Sequence, residues 1–126
     1  MKITSFNPVV ITKDLESVVS VFEALGFKKE HNPAGESGAG NQYEACRMQN
    51  ADGFHVDVAT TSAPMERDLS AIRVNVDDFD EAYRVLADHG FKNFYGNSVV
   101  ENPTSRSAVM IAPSGFAVNL VQHIRK

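Results

Sequence analysis

His55 and Asp57 stand two residues apart in the run Phe54-His55-Val56-Asp57-Val58-Ala59, so an extended backbone puts an imidazole and a carboxylate on one strand face. With His123 they form a candidate trio of nitrogen and oxygen donors for a first-row metal. The trio lacks the paired spacing of a helix-borne His-x-x-x-His, and surface or edge-strand histidines are the alternative. Arg73 shares a strand face with Ala71 and Asn75. A guanidinium among small, neutral neighbours grips a carboxylate or another planar anion through two parallel hydrogen bonds, while an internal ion pair with Asp57 or Glu44 is the competing reading. Cys46 reads as a buried strand residue with no His pattern beside it to make a nucleophile. His31 and His89 read as surface residues.

Other chemistries find no carrier. The stretch Pro33-Ala34-Gly35-Glu36-Ser37-Gly38-Ala39-Gly40 is rich in glycine but leads into a strand-like segment, so it lacks the helix N-terminus that a phosphate loop needs. It reads as a hairpin connection with room to act as a lid. No Gly-x-Ser-x-Gly elbow, Cys-x-x-Cys or His-Glu-x-x-His is present. Phe6, Tyr43, Phe54, Phe94, Tyr95 and Phe116 line either an apolar pocket or the core. The 126 residues carry 12 Lys+Arg against 16 Asp+Glu, a net charge of -4 with no basic stripe, which argues against nucleic acid and anionic membrane as partners. Apolar runs are too short for a membrane span, and the opening residues enter a strand-like segment instead of a signal peptide. A single Cys cannot make an internal disulfide, which suits a reducing cytoplasm.

The elements that position these residues are written twice. Gly26-Phe27-Lys28 recurs 64 positions on as Gly90-Phe91-Lys92, and Asp14, Leu15, Val18, Val19 and Phe22 map onto Asp78, Phe79, Ala82, Tyr83 and Leu86. Further along the offset is 62, with Met48, Gly53-Phe54 and Val56 facing Met110, Gly115-Phe116 and Val118. Ile3 to Ile11 reads as a strand. The i, i+3, i+4, i+7 apolar spacing predicts helices over about 14–25 and 78–89, each opened by an Asp cap and closed by Gly. Strands follow at about 27–31, 41–48 and 54–60, then at 71–76, 91–96, 106–111 and 116–123. The fold class is therefore α+β, one domain over 1–126 made of two βαβββ modules, about 1–60 and 70–126, joined by a linker at 61–69.

On Val10-Ile11-Thr12-Lys13-Asp14-Leu15-Glu16 leading to Gly26-Phe27, its counterpart Val74-Asn75-Val76-Asp77-Asp78-Phe79, and the run Ala112-Pro113-Ser114-Gly115-Phe116-Ala117-Val118-Asn119-Leu120, the chain resembles the vicinal oxygen chelate superfamily. That superfamily groups glyoxalase I, extradiol dioxygenases, fosfomycin-resistance enzymes and bleomycin-resistance proteins. The resemblance implies a curved mixed sheet with helices on its convex side and a ligand cup within. It also implies metal ligands on the first and last strands of the modules, at positions that here hold Asn7, Asp57, Ala71 and Asn119. An alanine cannot ligate, and neutral amides are poor ligands for Zn²⁺, Ni²⁺ or Fe²⁺.

The resulting expectation is a protein similar to bleomycin-resistance proteins. It would bind a small molecule in a metal-free cup without converting it, with no cofactor and no catalytic residue. The expected ligand-binding residues are Asn7, His55, Asp57, Arg73, Asn75 and Asn119, in a cytoplasmic homodimer whose second chain covers open strand edges. Two alternatives stay open: a metal-dependent enzyme of glyoxalase or dioxygenase type with displaced ligands His55, Asp57 and His123, and a non-catalytic assembly subunit.

Overall fold

The structure is a computed structural model that describes residues 1–30, 45–61, 65–96 and 98–124. His31, the glycine-rich stretch 33–40, Tyr43 and Glu44 lie outside the described residues. The chain divides into two compact units, Asn7–Ser70 and Met1–Phe6 with Ala71–Lys126. No helix among the described residues is long and apolar enough to cross a membrane.

The unit Asn7–Ser70 holds the greater part of β1 (Ile3–Ile11), then α1 (Leu15–Ala24), β2 (Lys28–Lys29), β3 (Ala45–Gln49) and β4 (His55–Ala59). β1 runs parallel to β4 with Val9 opposite Asp57, and β3 is antiparallel to both β4 and β2. Asp14 opens α1 by accepting hydrogen bonds from the Ser17 backbone N–H (3.2 Å) and the Ser17 hydroxyl (2.6 Å). At the other end Gly26 takes φ 104°, a left-handed conformation open to glycine at no steric cost, and lets the Phe27 N–H return to Phe22 O at 2.9 Å. The apolar stripe of α1 meets one sheet face, so Val19 packs with Cys46, Met48, Val56 and Val58, flanked by Leu15, Val18, Phe22 and Phe27. Each fully buried side chain of this size contributes about 1.5–3 kcal/mol.

The other unit repeats the plan. β5 (Leu69–Val76), most of it in this unit, is followed by α2 (Phe79–Asp88), β6 (Lys92–Asn93), β7 (Val100–Asn102), β8 (Ser105–Ile111) and β9 (Ala117–His123). β5 runs parallel to β9 with Arg73 opposite Asn119, while β8 is antiparallel to β9, β6 and β7. The first residues of β1 are tied to the end of β5, where the Lys2 N–H donates to Asp77 Oδ1 (2.6 Å) and the Asp77 N–H to Lys2 O (3.1 Å). Asp78 caps α2 through the Glu81 N–H (3.1 Å), and Gly90 at φ 91° lets the Phe91 N–H reach Leu86 O at 3.0 Å. Phe79, Ala82, Ala108, Met110, Val118 and Leu120 form the core, with Tyr83, Leu86 and Phe91 against it. Every core member of the first unit thus has its counterpart here at offset 64 or 62.

Three differences from the sequence reading have physical causes. Leu25 continues the apolar spacing, yet it is the C-cap of α1 and 67% exposed, because the helix has already turned away from its sheet. The connection after β6 contains β7, a strand that pairs with β8 across a tight turn at Pro103-Thr104. The edge strands β2 and β6 of the two units are only two residues long, shorter than the strands expected at about 27–31 and 91–96, and carry Lys28, Lys29 and Lys92, features that discourage edge-to-edge pairing.

The two donors from Ser17 hold the Asp14 carboxyl below its ordinary value of 3.8. A carboxylate whose folded pKa is depressed stabilises the fold above its unfolded value, and that contribution fades as pH falls through the folded value. The urea midpoint of Asp14→Ala is therefore expected below that of the wild type at pH 6, with the gap narrowing as pH drops below 3.8. A gap that stays constant down to acid pH would contradict the ionic part of this cap.

Candidate site on the helix-free sheet faces

In the unit Asn7–Ser70, alternation along β4 sends Val56 and Val58 toward α1 and leaves His55, Asp57 and Ala59 on the face that α1 does not cover. The register places Val9 of β1 and Arg47 of β3 on either side of Asp57 on that face. Asp57 is 3% exposed and is held from both strands. Its Oδ2 accepts from Asn7 Nδ2 at 3.1 Å, and its Oδ1 lies 3.4 Å from Arg47 Nε. Asn7 also donates to Pro8 O at 2.9 Å, which fixes the plane of its amide. At the edge of this group His55 Nδ1 stands 3.3 Å from Glu30 Oε1. The two atoms are close but not aligned as a hydrogen bond, since the buried Nδ1 has no hydrogen-bond partner among the described residues.

In the other unit the face opposite α2 carries Ala71, Arg73 and Asn75 from β5 and Ala117, Asn119 and Val121 from β9. Arg73 Nε donates to Asn75 Oδ1 at 3.1 Å, and Arg73 sits opposite Asn119. Asn75 and Asn119 are 5% and 7% exposed. Of the buried polar side chains among the described residues, Asn7, Thr12, Asp57, Asn75 and Asn119, all but Thr12 occupy helix-free faces. Thr12 serves the chain locally, its Oγ1 accepting the Asp14 N–H at 3.0 Å.

Solved structures of low sequence identity superpose on most of this chain. A glyoxalase/bleomycin resistance protein/dioxygenase superfamily member from Vibrio splendidus 12B01 matches with a TM-score of 0.58 and 16% identity over 96% of this chain and 99% of its own. Methylmalonyl-CoA epimerase from Mycobacterium tuberculosis matches with a TM-score of 0.64 and 14% identity over 98% and 90%. The chain has the vicinal oxygen chelate fold. A methylmalonyl-CoA epimerase variant from Streptomyces coelicolor, in complex with 2-nitronate-propionyl-CoA, shares that fold with a TM-score of 0.59 and 17% identity over 98% of this chain and 100% of its own. No family model matches the chain, and a search of curated proteins gave no match.

The resemblance projects metal ligands onto Asn7, Asp57, Ala71 and Asn119, and these side chains are a poor donor set for such an ion. Ala71 offers nothing, Asn7 and Asn119 offer neutral amides, and the one carboxylate already faces the cationic Arg47 at 3.4 Å. Among the described residues no three His, Cys, Asp or Glu side chains are grouped as a metal would need. His55 and Asp57 belong to one unit and His123 to the other.

The structure also corrects the reading of the aromatic residues. Phe6, Phe54 and Phe116 are exposed, and Phe94 and Tyr95 pack edge to face on each other at 5.1 Å. A shallow cleft of about 300 Å³ lies on the α2 side, lined by Tyr83, Phe91, Lys92, Asn93 and Met110, away from the face that carries Arg73. The residue that sequence reasoning missed is Arg47. Its signal was the Asn50-Ala51-Asp52-Gly53 turn, because a tight hairpin there sets Met48 opposite Val56 and Arg47 opposite Asp57.

Cys46 lies on the α1 side, and burial pushes its thiol above the ordinary value of 9.0. At pH 8 a disulfide reagent such as dithionitrobenzoate is expected to leave native Cys46 unmodified over minutes and to react at once in urea. A raised folded pKa also means that stability is full below 9.0 and declines as pH climbs above it. Rapid stoichiometric labelling of the native protein would contradict this placement.

Proposed function

We propose that this protein binds a small organic molecule on its helix-free sheet faces, without a metal and without converting it, using Asn7, His55, Asp57, Arg73, Asn75 and Asn119. The observation that carries this reading is the concentration of buried polar side chains on the faces that no helix covers. Burying a polar group costs free energy unless a partner compensates it, and a face whose only task is packing is apolar, as both helix-covered faces are. The Asn7–Asp57–Arg47 arrangement supports the metal-free half, since a guanidinium takes the place of a cation beside the carboxylate. In this reading the protein works in the cytoplasm as a homodimer. The blunted strand edges turn attention to exposed apolar side chains such as Ile3 and Phe6 as the contact between copies.

Three measurements on the purified full chain test the proposal. Elemental analysis after purification without chelators is expected to give far less than one Zn²⁺, Ni²⁺ or Fe²⁺ per chain. About one ion per chain, lost in His55→Ala, would favour the metal-dependent enzyme instead. A thermal-shift screen of small carboxylates, amides and aromatic compounds is expected to yield a saturable ligand whose binding weakens in Arg73→Ala by about 1–3 kcal/mol. No stabilising compound across such a screen would favour the assembly subunit. Sedimentation equilibrium at about tens of micromolar, where a specific dimer persists, is expected to exceed the 13.8 kDa of one chain.

A further inference from the structure

On the reading that the helix-free faces bind a small molecule, we propose that Arg47 is a fixed receptor for the carboxylate of that ligand, held in place by Asp57 and presenting its two terminal nitrogens. Arg47 projects from β3 on the face opposite α1, directly across from Asp57. Its only partner among the described residues is that carboxylate, reached through Nε at 3.4 Å. Nε is the side donor of the guanidinium. Nη1 and Nη2, with four N–H groups between them, make no hydrogen bond among the described residues and point along the end of the fork, the geometry that pairs with a planar oxyanion through two parallel bonds. The side chain of Arg47 is 40% exposed, whereas that of Asp57, which faces its Nε, is 4% exposed.

Asp57 is in turn fixed by Asn7, so the guanidinium is oriented by a buried chain of hydrogen-bonding groups instead of by its own rotamers. Pre-orientation of this kind removes part of the entropy that a flexible surface arginine loses on binding. Beside His55, Asn7 and Gln49, the same face carries Val9, Ile11, Ala45 and Ala59, which suit an apolar body attached to the carboxylate. The ligand class is accordingly a monocarboxylate with a compact apolar or aromatic body.

Sodium benzoate serves as the probe and benzamide, its neutral isostere, as the control, each titrated into the full chain with ¹⁵N-labelled arginine. Benzoate is expected to bind with shifts in the Arg47 guanidinium resonances, and benzamide at least about tenfold more weakly, because the charge-assisted pair is lost. Arg47→Lys keeps the charge but removes the fork, and should weaken benzoate by about tenfold. The double variant Arg47→Gln/Asp57→Asn removes both charges of the pair together and should abolish the difference between benzoate and benzamide while amide dispersion remains native. Equal affinities of benzoate and benzamide, or benzoate binding unchanged in the double variant, would overturn the role of Arg47 and leave small-molecule binding standing. Binding of neither probe would also overturn it, and only failure of the wider ligand screen would take the binding reading down with it.

Discussion

One helix covers one face of its strands. Among the described residues each unit has a single α-helix whose apolar stripe closes over one side of its sheet, and that packing supplies the greater part of its buried hydrocarbon. Everything chemical in the chain follows from the side left over. The two-residue period of a strand means that a side chain either joins the helix-facing core or stands on the uncovered face, with no intermediate choice. Cys46, Met48, Val56 and Val58 take the first course, and Arg47, His55 and Asp57 the second.

The internal repeat obeys this division. The helix-facing positions agree between units at fixed offsets: Cys46 with Ala108, Met48 with Met110, Val56 with Val118, Val58 with Leu120. Close packing tolerates little change in volume or polarity, which keeps the two cores similar. The uncovered faces have drifted apart. Asn7, Val9 and Arg47 stand where the other unit has Ala71, Arg73 and Val109, and Asp57 where it has Asn119. Each unit carries an arginine on this face, but on a different strand, so the two copies of one scaffold present different recognition groups.

The electrostatics of the first unit turn on a carboxylate that is almost wholly buried. Asp57 stays compatible with burial because Arg47 neutralises it and Asn7 donates to it. Removing either neighbour would take a compensating group away from a buried carboxylate in a low-dielectric setting. Of the four positions where the family resemblance implies ligands, the one that holds a carboxylate thus already faces a guanidinium. Sharing a fold with epimerases and glyoxalase-type proteins therefore fixes the scaffold and leaves the chemistry to these side chains.

The sequence by itself determined the secondary structure and the repeat, because these rest on local signals. Asp14 and Asp78 announce helix starts, Gly26 and Gly90 announce left-handed ends, and the i, i+3, i+4, i+7 stripe announces which face is buried. It also placed Asp57, Arg73, Asn75 and Asn119 on the faces away from the helices, since alternation is a property of the strand alone. It did not find β7, which has only three residues and little periodicity of its own, or the exposure of Leu25, where the helix leaves the sheet. Nor did it find who pairs with whom. Asp57 accepts from Asn7 on a parallel strand and faces Arg47 on an antiparallel one, neighbours that sequence reading did not name, and these contacts join residues 50 and 10 positions apart. Only strand register and the burial of both carboxylate oxygens decide such a contact, because the energy of an ion pair depends on distance and dielectric, and neither is written in the order of residues.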